Sequence, residues 1–473
     1  MPTVSLIPDL ADRCRTIARF RVLIADHADE LVRLMGDEVH KPGFEALASD
    51  VLPLLAACRW HERHTAKILR DRTPPGKPIW LLGVRHRVAR KPLGRVAIIA
   101  TWNYPVQLVG IQIVQAFAAG NALLVKPSEH APQTQNRLLD LAEKAGVALD
   151  RTEPTRDAGR KLVDEEAFDH LVFTGSTGVG RRIAESLAPR LIPSTLELSG
   201  NDTAVVLASA DVKLAARCVW YALTLNHGQT CMAPRRVLVD PAVMDRFLDE
   251  LRAVSKAAEP RRLIDDAATE RCRAVARGAL AAGGELIAGD PEAEKLAPIV
   301  IGSAPMESDL YKGSHFGPLL AVNCLASASA SLKDIGSSGL DEPEAQARHT
   351  LAPTDPLTLS VFGSTADARA FTSSSPAGTV FINDAVIPTG HPGAPLSAHG
   401  DSGWGVSRGA EGLLAMTRPV AISRTPKRPR VPLDPPPTPV EKITPWLRRL
   451  YAWGASSPRD PANHSRHDRT QGT

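Results

Sequence analysis

Residues 170–180 read HLVFTGSTGVG: a short apolar strand, a glycine-bracketed loop and the first residues of a helical stretch. A strand that turns through such a loop into a helix is the repeating unit of a parallel, doubly wound sheet. The alternation continues on both sides. Apolar strands fit 94–100 (GRVAIIA), 122–125 (ALLV) and 203–207 (TAVVL), with helical spacing between them. Polar clusters follow the strand ends: TWNYP after the first, KPSE after the second and GSTGVG after HLVF. Ligands of open parallel sheets bind outside the carboxyl ends of strands, so the three clusters point to one rim.

The 473 residues are too many for one compact core, and two or three domains are expected. Two helical patterns come first. Leu10, Cys14, Ile17, Ile24, Ala28 and Leu31 recur at helical spacing, and a second pattern runs from about residue 45 to 69, with Pro53 marking a kink or break. WLLGVRHRVARKPLG (80–94) reads as a short β-ribbon with a glycine turn, and a second α/β region covers about 205 to 395.

The composition, 43% hydrophobic and 23% charged, is that of a soluble globular enzyme. Of the net charge of +4, the basic excess lies from Arg424 onward, where ten Lys/Arg face four Asp/Glu. The body is slightly acidic and offers no nucleic-acid groove. Six cysteines at 14, 58, 218, 231, 272 and 324 form no CxxC pair, which argues against a metal site or disulfide framework and for a reducing compartment. The opening residues lack a signal-peptide core and no run reaches membrane-span length, so a cytoplasmic protein is expected.

NHGQTCMA (226–233) places Cys231 in a turn between a helical pattern at 211–226 and a strand pattern at 235–239. A nucleophilic thiolate there needs an oxyanion stabiliser, a base and an electron acceptor from elsewhere in the chain. PLGRVAIIATWNYP (92–105), AAGNALLVKPSE (118–129), FTGSTGVG (173–180), LELSGN (196–201), GQTC (228–231), HFGP (315–318) and DSGWG (401–405) occur in that order. Together, over about residues 10–424, they resemble the aldehyde dehydrogenase superfamily, whose NAD(P)-dependent members oxidise aldehydes to acids.

The resemblance implies an α/β fold with a Rossmann-like cofactor domain, an α/β catalytic domain and a small β oligomerisation ribbon. The expected division is 1–77 with 93–200 for the NAD-binding domain and 201–395 for the catalytic domain. Residues 78–92 and 396–424 are expected to bridge subunits, and 425–473 to form a tail. By the same resemblance Cys231 is the nucleophile, Asn103 the oxyanion-hole residue and Glu197 the base that activates water on the thioester. Trp102, Gly175, Ser176 and Gly180 fall around the pyrophosphate, Lys126, Ser128 and Glu129 around the adenosine ribose, and Leu198 and Phe316 also against the cofactor. A carboxylate at Glu129 favours NAD over NADP, with NADP also admitted. Gln107, Leu108, Ile111 and Leu396 would line the aldehyde tunnel. No basic cluster stands among them, which favours apolar aldehydes.

Several positions depart from the family pattern. Ser314 replaces the glutamate of ExFGP, the usual ELGGK reads ELSGN, and the usual PFGG reads Pro395-Leu396-Ser397-Ala398. The stretch 255–310 matches poorly. Two alternatives stay open: a CoA-acylating relative, and a degenerate member acting as a binding or scaffold protein. A homodimer or homotetramer is expected. The tail has eight prolines between Pro426 and Pro445, then ITPWLRRLYAW (443–453). It reads as a linker followed by an amphipathic segment that could dock on the body, a partner or an anionic membrane surface.

Overall fold

The computed structural model describes residues 8–78, 81, 83–313, 315–325, 356–373, 375, 377–425 and 440–452. The chain forms two compact units. The larger runs to Arg70 and resumes over Ala89–Val420; the smaller combines Asp71–Val88 with residues from Ala421 onward.

The larger unit holds two seven-stranded sheets. The first, in spatial order, contains Leu396–Ala398, Gly403–Ser407, Ser194–Leu198, His170–Gly175, Arg95–Ile99, Ala122–Lys126 and Leu149–Arg151. Its five strands from Ser194–Leu198 to Leu149–Arg151 are parallel, as the alternation predicts. The near-continuous apolar runs of these strands follow from burial on both faces. One face packs on the helix Gln107–Ala119, buried at every position, and through it on Leu10–Asp26 and Pro132–Ala145. The other face packs on Arg156–Glu165 and Thr177–Leu187.

The second sheet runs Thr379–Ile382, Thr358–Phe362, Thr203–Val206, Arg236–Val239, Leu319–Cys324, Ile299–Gly302 and Glu285–Ala288, with only the last strand antiparallel. The TAVVL strand therefore belongs here and not to the first sheet. The poorly matching stretch from 255 to 310 supplies the helix Asp266–Ala281 and the two strands that close this sheet's edge.

Four further expectations are corrected. Residues 396–407, expected among bridging segments, add two antiparallel strands to the first sheet, with Gly403 opposite Glu197. The ribbon around 80–94 is not a self-paired hairpin: Arg85–Pro92 pairs with Thr417–Arg424 in a two-stranded sheet. The first helical pattern breaks at His27 into Leu10–Asp26 and Ala28–Val39. Pro53 does not break the second. Helix runs from Gly43 to Ile68 through a π-turn at Leu47–Val51, where Leu52 N–H bonds back to Leu47 O. The wider turn just ahead of the proline absorbs its missing donor.

Gly403 has φ +107, and a Cβ there would lie 1.9 Å from Leu196 O. Gly403→Ala is expected to destabilise the larger unit by on the order of 3 kcal/mol, read as a lower urea midpoint. An unchanged midpoint would show that the Glu197 strand has room to move.

Candidate active site

The helix Val212–Thr224 ends in a tight turn where Asn226 and His227 both adopt left-handed backbone, φ 50 and 54. This reversal presents Gln229, Thr230 and Cys231 to the TWNYP loop. Asn103 Nδ2 donates to Gln229 O at 3.0 Å, and Tyr104 Oη and Thr230 Oγ1 share a hydrogen bond of 2.6 Å. Asn226 Nδ2 donates to Asn103 O at 2.8 Å. Asn103 Oδ1 accepts from Thr101 Oγ1 at 3.0 Å, which fixes the orientation of the carboxamide. One N–H of Asn103 is thus spent on Gln229, and the second remains.

A buried ion pair supports the same loop. Lys41 Nζ lies 2.5 Å from Asp50 Oδ2, donates to Asn103 O at 2.7 Å and sits 3.9 Å over the Tyr104 ring. Asp50 Oδ1 accepts from the N–H groups of Val106 and Gln107 at 3.1 and 3.0 Å. The π-turn that carries Asp50 is therefore tied to the segment that carries Asn103.

Arg235 is wholly buried. It donates from Nη1 to Gly228 O (2.9 Å) and Gly317 O (3.0 Å), and from Nη2 to Thr230 O (2.8 Å). It couples the turn before Cys231 to the loop carrying Phe316, whose ring faces Trp102 edge-on at 5.9 Å between centroids. Asp202 lies nearby, its carboxyl accepting from Thr358 N–H and Oγ1; burial pushes it up to about 7 against those bonds and the Arg235 charge.

Glu197 lies on the strand beside His170–Gly175, in register with Thr174. Thr174 Oγ1 donates to Glu197 Oε2 at 3.1 Å, while Oε1 is buried without a hydrogen-bond partner among the described residues. Thr174 also accepts from Gln112 Nε2 at 3.0 Å. An unpartnered buried carboxylate oxygen is costly unless a ligand or water completes it.

Three cavities surround these groups. A cleft of about 550 Å³ is lined by Trp102, Asn103, Gly175, Ser176, Glu197, Cys231 and Phe316. It shares Thr101, Trp102, Thr174, Gly175 and Ser176 with a cleft of about 790 Å³ lined also by Lys126, Ser128 and Glu129. A smaller cavity of about 140 Å³ shares Thr174, Glu197 and Cys231 with the first, and is walled by Gln107, Leu108, Leu198, Met232 and Leu396.

Most expected site residues are therefore brought to two joined clefts and one tunnel. Three lie elsewhere than expected. Gly180 lines none of these cavities: a Cβ there would meet Leu198 Cδ2 at 2.5 Å, so it lets the helix Thr177–Leu187 approach the strand. Leu198 faces the tunnel rather than the larger clefts. Ile111 borders a separate small cavity beyond Gln107. Ser314 lies outside the described residues.

The clefts fit a nicotinamide dinucleotide. Ser176 caps the helix Thr177–Leu187 without a side-chain bond, leaving first-turn N–H groups for an anion. Glu129 offers a carboxylate: burial opposes its ionisation, yet hydrogen bonds from Lys126 (2.7 Å) and Arg156 (3.0 Å) contribute to bringing it down to about 2. Because both oxygens are already paired with cations, and Arg160 and Arg182 share the wall, its repulsion of a 2′-phosphate is largely cancelled. A carboxylate so paired discriminates only weakly between NAD and NADP.

Arg235, the Lys41–Asp50 pair and Thr174 were not legible as site residues. Nor was Arg408, which adds a single arginine to a wall expected to hold no basic cluster.

The profile of the aldehyde dehydrogenase family matches residues 8–335. The chain is 29% identical over 423 residues to the 4,4′-diapolycopene-4,4′-dial dehydrogenase of Cytobacillus firmus, covering 87% of this chain and 89% of that one. It is 30% identical over 401 residues to the coniferyl aldehyde dehydrogenase of a Pseudomonas species, covering 80% and 79%. Among solved structures, the NAD-dependent aldehyde dehydrogenase of Sinorhizobium meliloti superposes with a TM-score of 0.80 at 25% identity, covering 90% and 84%. This chain belongs to the aldehyde dehydrogenase family. Its reaction is the oxidation of an aldehyde with NAD or NADP as acceptor.

Burial pushes the Cys231 thiol up to about 12, with the charges of Asp202 and Glu197 adding to it and those of Arg408 and Arg235 opposing. The thiol is thus protonated in the ligand-free protein at neutral pH. Its alkylation by iodoacetamide should accelerate about tenfold per pH unit from pH 7 to 10. A plateau below pH 8 would contradict this picture.

Proposed function

We propose that Cys231 attacks the aldehyde carbon, with Asn103 and Glu197 as its partners in a hydrolytic dehydrogenase. The observation that carries this reading is that Thr174, Glu197 and Cys231 form the shared wall between the cleft that fits the dinucleotide and the tunnel. The Cys231 proton leaves to solvent through the open cleft, and attack of the resulting thiolate forms the C–S bond and places negative charge on the former carbonyl oxygen. The remaining N–H of Asn103, held by Gln229 and Thr101, donates to that oxyanion. The dinucleotide, when bound, accepts the hydride released as the tetrahedral species collapses to a thioester.

Glu197 then takes a proton from water, which attacks the thioester and expels the Cys231 thiolate. Its unpartnered Oε1 is free for that water, while Thr174 anchors Oε2. A hydrolytic base in this position supports the acid as product over an acyl-CoA. Trp102, Phe316, Ser176, Lys126 and Glu129 hold and orient the dinucleotide, and Ser128 borders the same cleft. The carbon chain of the aldehyde lies along Leu108, Leu396, Met232 and Leu225.

Two assembly features belong to the same reading. The ribbon of Arg85–Pro92 and Thr417–Arg424 would join subunits into a dimer or tetramer, which light scattering after size exclusion measures. The helix Val440–Ala452 exposes Trp446, Leu447 and Tyr451 beside Arg448 and Arg449 and could meet an anionic membrane surface. Liposome co-sedimentation with and without residues 425–473 tests this; equal binding of both would dismiss it. No helix among the described residues is long and apolar enough to cross a membrane.

Cys231→Ala is expected to abolish aldehyde-dependent NADH formation. Asn103→Ala should lower kcat by about 10²- to 10³-fold. Glu197→Gln should still release a first turnover of NADH, leaving an acyl group on Cys231 visible by intact-protein mass. If Glu197→Gln turns over at the wild-type rate, the hydrolytic assignment fails.

A further inference from the structure

Arg408 is a buried cation with nothing to balance it in contact. Its relative exposure is 5%, and its one side-chain hydrogen bond among the described residues runs from Nη1 to the carbonyl of Thr389 at 2.6 Å. No carboxylate among the described residues lies within ion-pair distance of the guanidinium. Glu197 and Cys231 are near enough to feel its charge, yet neither pairs with it. A buried guanidinium with unused N–H groups is expensive, and such groups persist where a ligand completes them.

The backbone at Arg408 adds an independent observation. Its φ of 63 and ψ of 167 fall in a region that only glycine enters without strain. The conformation is held from both sides: Arg408 N–H donates to Gln115 Oε1 at 3.3 Å, and Gly412 N–H to Arg408 O at 2.8 Å. Strain kept at one side chain that faces a cavity points to use of that side chain. Beside it, Gln107 is buried, borders the same two cavities, and its carboxamide bonds to no described residue. The cavity that these groups share with Cys231 is also lined by the aliphatic side chains of Leu108, Met232 and Leu396.

We propose that Arg408, assisted by Gln107, binds a carboxylate on the far end of the substrate, so that the enzyme prefers aldehydes bearing a terminal carboxylate on a short aliphatic chain. The inference rests on the reading of Cys231 as nucleophile. The aldehyde meets the thiol, the methylenes pass along the leucines, and the carboxylate supplies the counter-charge that Arg408 lacks.

Chain-matched pairs test the idea: 4-oxobutanoate against butanal, and 5-oxopentanoate against pentanal, with NAD and with NADP. Wild type should favour the oxo acid in kcat/KM by at least about tenfold, and Arg408→Met should erase about 10- to 100-fold of that preference through KM. Arg408→Lys should retain part of it. Equal use of both members of each pair by wild type overturns the proposal. So does an Arg408→Met variant, folded by its melting temperature, that loses kcat equally on both, since that is the signature of an electrostatic support for Cys231 and Glu197.

A second measurement needs neither turnover nor cofactor. Pentanedioate should slow alkylation of Cys231 by iodoacetamide saturably in wild type but not in Arg408→Met, and pentane-1,5-diol should not slow it in either. If no aldehyde is oxidised at all, the dehydrogenase reading fails, and protection by pentanedioate alone still decides the anion site. Absence of that protection in wild type overturns it.

Discussion

The guanidinium of Arg235 organises the active centre. It is buried in the second sheet and grips three main-chain carbonyls, two from the turn before Cys231 and one from the loop after Phe316. Desolvating an arginine costs several kcal/mol, which three charge-assisted bonds of about 1.5–3 kcal/mol each offset. The bonds matter less for net stability than for coupling. Two loops from different parts of the chain cannot move independently while one planar cation holds both. The buried carboxyl of Asp202 supplies part of the compensating field and is itself tied to Thr358, in the neighbouring strand.

A buried ion pair, Lys41–Asp50, performs the analogous task for the segment that carries Asn103. Asp50 comes from the N-terminal helices and Lys41 from the link between two of them, outside the sheets that carry the rest of the site. Between them they contact the main chain of residues 103, 106 and 107 and the face of Tyr104. The helices that open the chain therefore reach the catalytic groups through main-chain carbonyls and N–H groups, and the geometry of Asn103 depends on them. The π-turn at Leu47–Val51 is part of this arrangement, because Asp50 sits within it.

The sheets, and the positions of Asn103, Glu197 and Cys231, were legible because parallel strands are apolar on both faces and their ligands gather at the carboxyl ends. Most of the residues expected around a dinucleotide line the two larger clefts, for the same reason. What escaped had a common character. Lys41, Asp50, Arg235 and Arg408 are charged residues that bury completely, and a charged letter in a sequence reads as surface. Their burial is decided by partners far along the chain, 82 residues apart for Arg235 and Gly317 and 293 for Arg408 and Gln115, which local pattern cannot encode. The two antiparallel strands at 396–407 escaped because they are short and glycine-rich. Gly180 was read as a phosphate loop glycine when its missing Cβ serves Leu198 instead.

The cleft and the tunnel share only Thr174, Glu197 and Cys231. On the proposed reading, reactant and oxidant would have separate doors onto one sulfur atom. Neither must vacate its chamber for the other to exchange, so the order of arrival and departure is not imposed by sterics. Traffic through the two doors can be regulated separately, and a change that narrows one leaves the other open.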